Sequence, residues 1–144
     1  YPLNQEINFK INKFFRTITK DKKQSPMTIN VKGRNFIILN YYEGIARFNF
    51  AELCDDNVGA EDYLEISKFC KFIIIDNIPK FNDENSNQQN RFITLIDILY
   101  DKKIPLMISL SSNPDNLGSS IRLNKTFTRT LSRLYELTSP KINL

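Results

Sequence analysis

An unbroken apolar run, Phe72-Ile73-Ile74-Ile75, closes on Asp76, and a second run, Ile104 to Leu110, follows after a stretch of helical period. Runs this short and this apolar read as strands buried on both faces, the condition of parallel strands in α/β sheets. Between them Phe92, Leu95, Ile96, Leu99 and Tyr100 recur three and four apart, which predicts a helix over about residues 87–101. Strand, helix, strand in that order needs a crossover, so the two strands lie parallel in a βαβ unit.

The flanks carry other periods. Ile7, Ile11, Phe14, Phe15 and Ile18 fall at helical spacing and predict an amphipathic helix over residues 3–20, with Pro2 just before its start. Met27, Ile29 and Val31 then alternate with polar residues, and Lys32-Gly33 makes a turn. Phe36 to Leu39 is a short apolar run, Glu43-Gly44 a second turn, and Ala46, Phe48 and Phe50 alternate again. That pattern predicts a three-stranded antiparallel meander. Ala60 to Phe69 reads as a short helix, and Phe127, Leu131, Leu134 and Leu137 space a last one. The fold class is therefore α/β: a βαβ unit with parallel strands plus an N-terminal helix and a three-stranded antiparallel meander. With 144 residues the chain is about one domain in size. The helix takes residues 1–25, the meander 26–50 and the α/β region 51–144.

Several chemistries are excluded outright. The chain has no histidine, which removes His-based triads and the usual Cys/His zinc sites. Its two cysteines, Cys54 and Cys70, read first as reduced structural thiols, with a disulfide between them left open. The four glycines, Gly33, Gly44, Gly59 and Gly118, do not fit the spacing of a phosphate-binding loop or of G-x-G-x-x-G. No window holds the roughly 18 apolar residues a membrane span needs. No leader follows Tyr1, which points to an intracellular chain and to an excised or processed fragment.

Two groups of residues could carry chemistry. Asp76 ends its strand as the magnesium-holding acid of a P-loop enzyme does, although Asn77 follows where a Glu would orient water. Ser111 and Asn113, after the second strand, stand where a polar sensor residue would. These three read either as the echo of a degenerate nucleotide site or as ordinary polar chemistry at a sheet edge, and the second reading ranks first. Arg129 and Arg133 lie four apart around Leu131 and share one helix face. They could clamp a phosphate or reach a neighbouring subunit. The plainer reading, ranked ahead of that, is an ion pair with Asp62, Asp76 or Asp97. No catalytic residue and no metal-ligand set emerges. The carboxylate pairs Asp55/Asp56 and Glu61/Asp62 point to different faces, and the second suits a helix N-terminus.

The net charge of +4 is unevenly spread, at +6 over residues 1–50, −6 over 51–90 and +4 over 91–144. Solvated faces of opposite sign account for this most simply. A nucleic-acid reading of the helix bearing Lys10, Lys13, Arg16 and Lys20 ranks last among the partners considered.

Five motifs in order complete the reading. Phe50-Ala51-Glu52-Leu53-Cys54 and Gly59-Ala60-Glu61-Asp62-Tyr63-Leu64 resemble the F-x-x-L-C…G-A-x-D-Y-L segment of ZapE-type AAA+ ATPases and their mitochondrial AFG-one-like relatives. Phe72 to Pro79 resembles that family's apolar strand ending in an Asp and a Pro. Arg91 to Tyr100 resembles its R-F-I-x-L-I-D-x-L-Y helix, and Arg129 to Glu136 is similar to its R-T-x-S-R-L-x-E ending, with Leu137 in place of the usual Met. The resemblance implies the C-terminal part of such an ATPase, with the phosphate-binding loop upstream. ATP and magnesium are then cofactors of the intact protein, and none is expected for this chain alone. The implied partners are an upstream ATPase domain or sister subunits and a cell-division or quality-control client. The family includes bacterial and mitochondrial members, and with no leader seen the bacterial cytoplasm ranks ahead of the mitochondrion. Arg129 and Arg133 are the residues the resemblance favours for phosphate or intersubunit contact. An autonomous interaction module split from its ATPase is the alternative.

Overall fold

The computed structural model describes residues 5–54, 57–110 and 117–138. Helix α1 (Gln5–Thr19) leads into strands β1 (Met27–Val31), β2 (Arg34–Ile38), β3 (Asn40–Tyr42) and β4 (Ile45–Asn49). Short helix α2 (Phe50–Cys54) and helix α3 (Ala60–Phe69) precede β5 (Phe72–Ile78). A 3-10 turn (Asp83–Asn85) opens α4 (Ser86–Asp101), and β6 (Leu106–Leu110) and α5 (Asn124–Leu137) complete the order. The main sheet runs β3-β4-β5-β6; β4, β5 and β6 are parallel and β3 is antiparallel to β4.

The α/β class, the N-terminal helix and the βαβ unit β5-α4-β6 are all present. The three-stranded meander is corrected. Its first two strands form a separate β1-β2 hairpin, while the third, β4, belongs to the main sheet. The cause lies in burial. Ile45, Ala46 and Phe48 of β4 are all within 1% of complete burial, so this strand needs cover on both faces. It finds that beside β5, with β3 closing its other edge.

Alternation along β5 explains why its sequence shows none. Phe72 and Ile74 face α1 and pack with Ile11, Phe14, Phe15, Ile18 and Met107. Ile73 and Ile75 face the opposite core, built from α2, α3, α4, α5 and the β1-β2 hairpin. All four side chains are at most 1% exposed, each contributing about 1.5–3 kcal/mol by burial.

In the larger core Phe50, Phe81, Phe92 and Phe127 form a chain of rings, neighbouring centroids lying 5.5–6.0 Å apart. The approach to α5 is tied to this core by Gln89, which is fully buried. Its Nε2 donates to Ser119 Oγ at 2.7 Å, and its Oε1 accepts from the Ser120 N–H at 2.9 Å. Phe81 N–H donates to Leu117 O at 2.7 Å. Gly118 has φ +77, and a Cβ there would stand 2.5 Å from the Phe81 carbonyl oxygen. Both facts require glycine.

Cys54 and Cys70 are buried and unbridged. Burial pushes the Cys70 thiol up from 9.0 to about 12. Above pH 9 the unfolded chain releases this proton while the folded chain keeps it. The stability held by the neutral thiol is therefore complete below pH 9 and is lost as pH rises toward 12. Urea midpoints taken from pH 8 to 11 are expected to fall, and the fall should be shallower in Cys70→Ala. An identical decline in that variant would assign the effect elsewhere.

Candidate functional site

Because β4, β5 and β6 are parallel, their carboxyl ends reach the same edge, where open α/β sheets bind ligands. On the α1 side of the sheet the apolar residues Ile45, Phe72, Ile74 and Met107 give way at that edge to Arg47, Asp76 and Ser109. Arg47 Nε donates to Asp76 Oδ2 at 2.6 Å, and both side chains are 17% exposed. Ser109, fully buried, donates to Asp76 Oδ1 at 3.4 Å and accepts from the Asn77 N–H at 2.9 Å. The Arg47 guanidinium also lies over the Phe15 ring, 5.2 Å from its centroid. Asn77 has φ +64, within a register shift between Ile75 and Ile78. Asn tolerates this left-handed geometry better than most residues, and it turns the Asn77 amide toward Ser109.

Asp76 is thus neutralised and hydrogen-bonded from within the chain. A cation or phosphate arriving there would have to displace Arg47. Ser111 and Asn113 lie outside the described residues. Among the described residues no group of three or more His, Cys, Asp or Glu side chains is placed to hold a metal ion.

Arg129 and Arg133 stand elsewhere, where α5 packs on α4. Arg133 Nη1 donates to Asp97 Oδ1 at 2.5 Å, and Arg129 Nη2 lies 3.8 Å from Asp97 Oδ2. Arg133 also covers the Tyr100 ring at 4.9 Å, and the Tyr100 hydroxyl donates to Glu136 at 2.9 Å. Of the three acids considered for these arginines, Asp97 is the one they meet. The Arg129 side chain keeps 58% of its surface exposed, against 27% for Arg133. Among the described residues no hydrogen bond or ion pair joins this cluster to Asp76.

A third polar cluster was hidden in the sequence. Asp62, almost fully buried, accepts from Arg34 at both oxygens, each at 2.7 Å, and from the Gly59 N–H at 2.9 Å. It caps α3, and Arg34 Nη2, donating to both of its oxygens, ties α3 to β2. Arg34, Asn57, Gly59, Asp62 and Arg91 border a shallow concavity of about 480 Å³.

Arg47 was missed because it occupies an outward position in an alternating strand, the usual mark of a solvated face. Only the placement of α1 over that face encloses it. Arg34 sits in a turn-flanking segment whose charge carries no hint of a partner 28 positions away.

The model of the AFG1-like ATPase family matches residues 1–143. The chain is 24% identical to the cell division protein ZapE of Escherichia coli over 138 residues, covering 96% of this chain and 37% of that protein. It is 37% identical over 92 residues to lactation elevated protein 1 homolog B of Danio rerio, covering 64% of this chain and 18% of that one. An uncharacterized protein of Schizosaccharomyces pombe is 29% identical over 167 aligned positions, covering 95% of this chain and 37% of the relative. The chain therefore spans well under half the length of these relatives. No solved structure matches it.

Proposed function

The chain belongs to the AFG1-like ATPase family, and from that premise we propose that it forms the non-catalytic, C-terminal region of a longer ATPase. The observation that carries this reading is the occupied state of Asp76. The carboxylate that ends β5, where a magnesium-holding acid would be sought, already accepts from Arg47 and Ser109. The sequence also has no glycine spacing with which to cradle phosphates. ATP and magnesium are then bound by residues beyond this stretch, and these 144 residues contribute a packing or docking surface. In this reading Arg129 and Arg133 face a sister subunit or a phosphate, oriented by Asp97. A client in cell division or protein quality control and a bacterial cytoplasmic location, ahead of a mitochondrial one, belong to the same proposal.

Calorimetric titration of magnesium-ATP into the chain alone should give neither heat of binding nor turnover. Micromolar binding would overturn the proposal. In the complete protein, Arg133→Ala is expected to reduce ATP turnover at least about tenfold, as loss of a phosphate-facing arginine does, while this region stays folded. Unfolding of the region by Arg133→Ala, with turnover lost only for that reason, would make the Asp97 pair purely structural.

A further inference from the structure

We propose that the outer face of α1 binds single-stranded nucleic acid, with Phe9 as a stacking platform and Lys13, Arg16 and Lys20 as phosphate contacts. The apolar stripe of α1 is spent on the sheet: Ile11 is buried, and Phe14, Phe15 and Ile18 pack with Phe72 and Ile74. Turning about 100° per residue, the helix sets positions 9, 13 and 16 together on the side opposite that stripe, and Lys20 follows directly after its last residue, Thr19. Phe9 is 62% exposed there, and Lys13, Arg16 and Lys20 are exposed as well. Among the described residues, neither core cluster and no ring pair includes Phe9.

The charge is unbalanced locally. Residues 9–23 hold six Lys or Arg and one acid, Asp21. Among the described residues no acidic group lies within ion-pair distance of Lys13, Arg16 or Lys20. The three α1 positions, 9 to 16, span about 10 Å along the helix at 1.5 Å per residue. A row of exposed cations beside one exposed ring suits a flexible strand whose bases are free to stack. A lipid surface fits less well, because amphipathic membrane binding uses the apolar face, which here packs on the sheet. An acidic protein would satisfy the cations and leave Phe9 without a role.

The test is fluorescence anisotropy of a labelled 20-nucleotide oligothymidine titrated with the 144-residue chain. Three phosphate contacts predict a log–log salt slope near −2, so affinity should fall about 20-fold between 50 and 200 mM salt. Phe9→Ala should weaken binding about tenfold. The triple variant Lys13→Gln/Arg16→Gln/Lys20→Gln should abolish the salt dependence, with melting temperatures unchanged because all four side chains are exposed. No binding at 50 mM salt would overturn the proposal, as would binding that the triple variant retains. So would competition by polyglutamate equal to that of the oligonucleotide with Phe9→Ala silent, which marks an acidic protein partner. Association with phosphatidylserine vesicles but not with the oligonucleotide would equally overturn it.

Discussion

Asp76→Ala is expected to destabilise the fold by roughly 3 kcal/mol, because it strands the Arg47 guanidinium in a site only 17% exposed. The cost comes from an unpaired charge held between the sheet and Phe15, with Ser109 losing its acceptor as well. Three variants separate the terms. Asp76→Asn keeps an acceptor for Ser109 and removes the charge pairing, so it should fall between wild type and Asp76→Ala. The double variant Arg47→Met/Asp76→Leu removes both charges and should be milder than Asp76→Ala alone, since replacing a buried pair by apolar groups is often neutral. Urea unfolding followed by circular dichroism reads all three. A cost for Asp76→Ala below about 1 kcal/mol, together with magnesium binding that the substitution abolishes, would instead assign Asp76 to a metal.

Phe92→Ala should be at least as damaging, at about 3–5 kcal/mol. Phe92 is fully buried and its ring centroid lies 6.0 Å from Phe50 and 5.7 Å from Phe81, which in turn meets Phe127 edge-on. Removing it opens a cavity where α2, α4 and α5 converge, beside the Phe81–Leu117 bond that positions the approach to α5. Against the total of about 5–15 kcal/mol typical of a domain, the variant should be largely unfolded near physiological temperature. Phe92→Leu keeps most of the volume and should lose far less. A midpoint for Phe92→Ala within about 1 kcal/mol of wild type would mean that the four rings do not hold these helices together.

The outcome at each candidate site follows how local its signal was. Arg129 and Arg133 could be placed on one face from their spacing, because helical geometry alone sets it. Which acid they meet could not be read, since Asp97 lies on another helix, 36 positions from Arg133. Asp76 was visible as the end of an apolar run, but its partner Arg47 looked like any outward residue of an exposed strand. Asp62 was attributed to the α3 dipole, whereas its geometry is dominated by Arg34 Nη2, which donates to both of its oxygens from β2.

From its sequence alone this protein had its α/β class, its βαβ unit, its amphipathic first helix and its family motifs determined. Those features rest on periodicity and on residue order, which neighbours in the chain carry by themselves. Tertiary structure decided that β4 leaves the expected meander for the parallel sheet, that Arg47 is enclosed, and that Phe9 stays in water. Each of these depends on which face another element covers, and pairing between distant segments leaves no local periodicity to read.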